Sequence, residues 1–263
     1  MSGVWALTSH QLRTRLRQII IWGVILGGLG ALYVGLFPTM GGILEQYMAD
    51  APPEMQGFMG GVGGELTIEQ WLDLEFFSGI VPIAVPFFMM VIGARAIAGN
   101  EERKTLDLLL SNPVPRWHLV VGNLLTMALA LAGVLGLTWV LTYIAVPAAG
   151  VELGPGRLAQ GLLVLWPFCL FFGSLALLLS AVLRRAALAI VIPAAVLVGM
   201  YVIDTLGQLS QSVEPLRVVT LQYHTANSLG PDFPWTGFVI ALVGALVFGA
   251  AAVAAFARRD IYT

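Results

Sequence analysis

The sequence predicts an all-α polytopic membrane protein with six transmembrane helices and both termini in the cytoplasm, and three observations lead there. The chain is 58% hydrophobic and only 11% charged, with mean hydropathy +0.88, whereas a soluble domain carries about 25% charged residues. Six apolar runs are long enough, at about 1.5 Å rise per residue, to cross a hydrocarbon core of roughly 30 Å as helices. The positive charges collect on one side of those runs.

The runs are residues 19–37, 76–99, 119–146, 160–183, 186–206 and 236–257, and residues 1–263 read as a single transmembrane domain. Within the runs only Arg95 and Asp204 are charged, both near a span end. The runs are continuous and lack period-two alternation, which argues against an outer-membrane barrel.

Orientation follows from Lys and Arg. Arg13, Arg15 and Arg17 precede span one; Arg95, Arg103, Lys104 and Arg116 border the loop between spans two and three. Arg184 and Arg185 fill the next even loop, and Arg258 and Arg259 follow span six. These are eleven of the thirteen cations, with Arg157 and Arg217 opposite. The rule that short cytoplasmic loops are positive places both ends inside.

Before span one, Trp5, Leu12, Leu16 and Ile19 fall at helical spacing among polar residues, the pattern of an N-terminal amphipathic helix lying in the interface. The apolar stretch after it is too long for a signal-peptide core and reads as an uncleaved span. Gly23 and Gly27 form a GxxxG, a spacing used in close helix packing, though thirty glycines make a chance match easy.

The first outside segment, residues 38–75, holds Glu45, Asp50, Glu54, Glu65, Glu69, Asp73 and Glu75 and no Lys or Arg. It reads either as a solvated acidic loop or, if the carboxylates converge, as a site that attracts cations. Pro52-Pro53 and Gly60 to Gly64 force it to turn. Thr67 with Gln70 fits a capping box that starts a helix into span two, where Pro82 and Pro86 predict a kink. In residues 207–235, Leu209, Val213, Leu216, Val219 and Leu221 predict short outside helices before span six. His224, with His10 and His118 on the other side, reads as a satisfied or interfacial histidine and not a metal ligand.

No HExxH or GxSxG is present, and no cluster of carboxylates within the spans resembles a proton relay. No catalytic residue is assigned, which disfavours an intramembrane enzyme. Cys169 is the chain's one cysteine, so neither a disulfide nor a thiolate metal site can form within one chain. Lys104-Thr105 has the end of a P-loop but Ala98 and Arg103 where that motif needs glycine, so the chain does not bind ATP by that route. A net charge of −2 does not suggest a nucleic-acid partner.

The most distinctive stretch is the charged hairpin from Arg95 to Asn123. A helix from Glu101 to Ser111 is predicted, stopped by Pro113 and Pro115, with Leu106, Leu109 and Leu110 on one face and an Arg103–Asp107 pair on another. Gly99, Glu101-Glu102, Thr105-Leu106-Asp107-Leu108-Leu109, Pro113 and Arg116 resemble the signature of type 2 ABC transporter permeases. Phe256 to Ile261 resembles the usual end of that family. Lys104 stands where the family usually has glycine and Asn123 where it usually has lysine, both at the presumed contact with a partner.

The resemblance implies a cytoplasmic coupling helix between spans two and three. It implies a complex of two permease chains, as a homodimer or heterodimer, in the inner or plasma membrane, with two separate ABC ATPase subunits that bind the ATP and Mg. Glu101, Glu102, Arg103, Thr105, Asp107 and Arg116 would couple to the ATPase. Spans two and five would line the pathway, with Phe87, Met90, Met200 and Asp204 as candidate lining residues, and such walls suit export of a hydrophobic or amphipathic compound. The alternatives are a non-transporting module that mechanically remodels or regulates a partner complex, and ion export. Arg95, two turns before Glu102, is expected either to snorkel to the headgroups or to form a salt bridge with it.

Overall fold

The computed structural model describes residues 2–49, 66–104 and 115–258, and these residues contain helices and turns but no strand. Helix α1 spans Ser2–Ala49. Helix α2 (Ile68–Leu72) continues through a π-helical stretch (Asp73–Ile80) into α3 (Val81–Ala96) and then α4 (Ala98–Glu102). After these come α5 (Arg116–Ala149), α6 (Pro155–Val182) and α7 (Ala186–Leu209). A 3₁₀ turn (Glu214–Val219) and α8 (Leu221–Thr225) precede α9 (Trp235–Arg258). Six stretches, one at each expected span, are long and apolar enough to cross a membrane.

The expected interfacial helix is not a separate element. α1 runs without interruption through 48 residues, about 72 Å at the helical rise, and its first turns lie lengthwise on α5. Thr8 Oγ1 donates to the Gly122 carbonyl at 3.4 Å, and Thr126 Oγ1 donates to Gln11 Oε1 at 2.8 Å. Gly3 faces His118, and Leu7 faces Gly122. Residue numbers rise together along both helices, so α1 and α5 are parallel. The buried face is Val4 and Thr8, while Trp5 and Leu16 from the apolar stripe point outward. Polar contacts with α5 therefore set the direction of this segment.

Further along the same pair, the GxxxG is a packing device. A Cβ on Gly23 would stand 2.7 Å from Leu137 Cδ2, and one on Gly27 would stand 2.7 Å from Leu141 Cβ. Gly30 extends the stripe against Thr142. Close approach of this kind substitutes for a hydrophobic driving force, which lipid does not supply.

The centre of the bundle is α3 on α6. Gly93 lies against the Gly173 carbonyl, and Met89, Met90, Met127 and Phe172 are fully buried around the contact. At the lid of the core, Trp71 Nε1 donates to the Tyr33 carbonyl at 3.0 Å, positioned by the Thr67–Gln70 capping box, which forms as expected.

The irregularity in span two falls one turn before the prolines. Gly79 has φ −83° and ψ −125°, and α3 then passes through Pro86. Pro82 has no N–H for the carbonyl four residues earlier, and its ring presses on that turn. Gly79, without a Cβ, absorbs the distortion.

One end of the bundle gathers the start of α1, the α3–α4 junction, the start of α5, residues 183–186 and the end of α9. A small apolar cluster there joins Ala96, Ile97, Leu119, Val120, Leu177, Ala181, Ala252 and Phe256. The opposite end holds α2, residues 150–154 and residues 210–231.

Candidate coupling site

The site is built on a break in helical geometry. Ile97 has φ −122° and ψ −64°, which ends α3 and starts α4 one residue later. A break inside a buried segment exposes N–H and C=O groups that must find partners. Ser180 of α6, itself fully buried, supplies them. Its hydroxyl accepts from Ile97 N–H at 3.2 Å and Ala98 N–H at 2.8 Å, and it donates to the Ala94 carbonyl at 2.7 Å. Nearby, Asn100 Nδ2 donates to the Ala96 carbonyl at 2.8 Å. The junction is thereby tied to span four.

α4 then reaches span five. Glu102 Oε1 accepts the backbone N–H of Ala186 at 2.9 Å. Arg185, the N-cap residue of α7, makes no side-chain capping bond, so a carboxylate 84 residues away does that work. A negative charge is also favoured by the positive end of the helix dipole. Glu101 lies 4.0 Å from Arg184 in the same loop. Two of the sequence-selected residues thus bind the start of α7.

The expected helix from Glu101 to Ser111 is corrected over its described part. α4 begins at Ala98, ends at Glu102, and gives way to a turn at Arg103 and Lys104. Lys104 has φ +54°, a left-handed conformation that costs an L-residue about 1–2 kcal/mol and glycine almost nothing. Arg103 and Lys104 are both exposed, which leaves this turn presented at the end of the bundle. Thr105 and Asp107 lie outside the described residues, as does the Arg103–Asp107 pair. Arg116 opens α5.

A family model described as ABC-2 family transporter protein matches residues 5–261. The chain belongs to the ABC-2 family of transporter proteins. It is a permease subunit of an ABC transporter, and a search of curated proteins gives no match.

In this ABC-2 chain, the two departures from the family pattern have different meanings. Lys104 takes the backbone conformation that explains why glycine is usual there. Asn123 is buried, and its amide donates to the Leu119 carbonyl at 2.8 Å within α5. Asn123 is therefore enclosed within the bundle, whereas Lys104 is exposed. No Arg95–Glu102 salt bridge forms, because the Ile97 break ends the register that would bring them together. Arg95 is exposed and stands within electrostatic range of Arg15.

The four candidate pathway residues do not converge. Met90 is fully buried in the core, Phe87 is 47% exposed on the outside of α3, and Met200 packs against the core's edge. Asp204 alone lines a cavity of about 910 Å³ at the end opposite Glu102. There its Oδ1 accepts from Arg217 Nε at 3.0 Å and its Oδ2 from Gln208 Nε2 at 2.8 Å. Arg217 in turn sits over the Tyr223 ring, 5.1 Å from its centroid.

Other sequence readings of this region hold in part. His224 Nε2 is hydrogen-bonded to the Val218 carbonyl at 2.8 Å, a satisfied ring as expected. The short helices expected before span six are present as the 3₁₀ turn and α8. Leu221 is buried against the bundle, while Leu209, Leu216 and Val219 are exposed apolar residues, as suits packing into the outer leaflet region. Sequence reasoning missed Ser180 and Gln222 entirely. A serine in an apolar span was the available signal for the first, shared with Ser174 in the same span, and nothing distinguished the second.

Proposed function

We propose that the chain is the membrane half of an ATP-driven exporter, with the Arg103–Lys104 turn and the residues after it seated on a separate ABC ATPase in the cytoplasm. The observation that carries this reading is the Glu102 bond to Ala186 N–H, because it joins the loop after span two to the first turn of span five. With Ser180 on the other side of the break, a push on α4 reaches spans two, four and five together. Exposed apolar faces on α7 and α9, including Val191, Val198, Val202, Val243 and Leu246, suit lipid and a second permease copy; the complex in this reading holds two permeases and two ATPases. ATP and Mg bind to the ATPase subunits, and Glu101, Glu102, Arg103, Thr105, Asp107 and Arg116 act in coupling. The cargo is a hydrophobic or amphipathic compound carried outward across the inner or plasma membrane.

Copurification tests the partnership. The chain is expected to bring down an ABC ATPase whose hydrolysis in lipid responds to Glu102→Lys, which sets a cation against the helix start. Failure to recover any ATPase, together with full function of Glu102→Lys, would overturn the reading. Orientation has its own check: Arg103→Cys should react with a membrane-impermeant thiol reagent only from the cytoplasmic side. Reaction from outside would reverse the topology.

A further inference from the structure

We propose that the cavity at the end opposite Glu102 binds a bulky organic cation with an apolar body. The proposal rests on the exporter reading only for calling the bound molecule cargo; the site itself is argued from its walls. At about 910 Å³ the cavity falls in the range of small-molecule sites, roughly 300–1,000 Å³. Its floor is apolar, formed by Phe77 of span two with Val164, Leu165 and Phe168 of span four.

The polar walls carry an imbalance. Glu69, Asp73, Glu75 and Asp204 face Arg157 and Arg217, and both guanidiniums are already engaged. Arg217 is held by Asp204, and Arg157 donates to the Gly230 carbonyl. Asp73 is committed as well. It accepts from Ser228 Oγ at 2.8 Å and from the backbone N–H groups of Asn227, Ser228 and Leu229. Asn227 takes φ +57° there, so the loop wraps the carboxylate as an anion nest. Glu69 and Glu75 remain, with no ion pair to a described cation.

A second observation points to a ligand independently of those charges. Gln222 lines the same cavity, and its amide nitrogen and oxygen are buried without a hydrogen-bond partner among the described residues. A primary amide at a cavity wall whose donor and acceptor are both unpaired by the described residues offers both to a ligand. A bound molecule with its own donor or acceptor would satisfy it. The described residues contain no group of three His, Cys, Asp or Glu placed to hold a metal ion, and the apolar floor favours an organic body under the charge.

The test uses two ions of nearly equal size and opposite charge, tetraphenylphosphonium and tetraphenylborate. The chain is placed in nanodiscs of uncharged phosphatidylcholine without any ATPase, and binding above that of empty discs is measured at equilibrium. Saturable phosphonium binding is expected, at least tenfold tighter than borate. The double variant Glu69→Gln/Glu75→Gln should weaken it by about tenfold. Gln222→Leu should weaken binding several-fold while raising the unfolding temperature, opposite signs that a purely structural residue does not give. Equal binding of both ions, or phosphonium binding that all three substitutions leave unchanged, would overturn the site. ATP-driven opening of this end without cation binding would remove the site and keep the exporter, and binding without ATP-driven opening would do the reverse.

Discussion

The two ends of the bundle solve opposite problems with the same kind of element. At the Ser180 end, a helix break is closed on itself: Ser180 and Asn100 pair with backbone groups on both sides of the break, and apolar residues fill the space around it. At the Asp204 end, a π-helical stretch, a nest and a buried ion pair surround open volume. The difference teaches where this permease can deform. Tightly satisfied hydrogen bonds in a low-dielectric interior transmit displacement, while a polar cavity supported by discrete pairs has room to change shape.

Substitutions that exchange the character of the two ends should separate them by size of effect. The largest is expected at Arg217→Ala, which leaves Asp204 charged and largely enclosed. Breaking such a pair costs about 3–5 kcal/mol, read as a drop in unfolding temperature in detergent. A matching drop is not expected for Asp204→Asn/Arg217→Gln, which removes both charges. Next comes Gly93→Ala, where the new methyl meets the Gly173 carbonyl and Leu177 N. Backbone does not yield as a side chain does, and about 1–3 kcal/mol should be lost, more than for Gly27→Ala against the Leu141 side chain.

Ser180→Ala is intermediate. It strands the Ile97 and Ala98 N–H groups in a buried place and should cost about 1–3 kcal/mol for each. Cysteine cross-linking between α4 and α7 should also fall in yield, a change that simple destabilisation of the distant end would not produce. The smallest effect has the opposite sign. Lys104→Gly removes a left-handed lysine and should raise stability by about 1 kcal/mol, measurable as a small upward shift in unfolding temperature.

The sequence made the spans legible because hydropathy and helix length are governed by the same bilayer thickness. The family was legible in the residues around Glu101-Glu102, whose order resembles the signature of type 2 permeases, and the family model over residues 5–261 agrees with it. The pairing of Glu102 with Ala186 was not legible, since nothing local in either segment encodes an N–H without a cap 84 residues away. The α1 direction was misjudged because an amphipathic stripe at Trp5 and Leu16 reports which face is apolar, not which face a neighbour covers. Lys104 shows a middle case. Its departure from glycine was visible as an oddity, and only the backbone angle gave it a cause. Which way Phe87, Met90 and Met200 face was not legible, because apolar side chains on a span look alike whether they face core, lipid or cavity.

The most direct measurement of coupling between the ends uses Thr205→Cys, whose position lines the cavity, in a chain whose one native cysteine, Cys169, is buried. Its labelling rate by an impermeant thiol reagent is compared with and without ATP and Mg in the complex with the ATPase. The account predicts that nucleotide changes the rate severalfold, and that adding Glu102→Ala abolishes the change while ATP hydrolysis continues. A nucleotide response that Glu102→Ala leaves intact would contradict it.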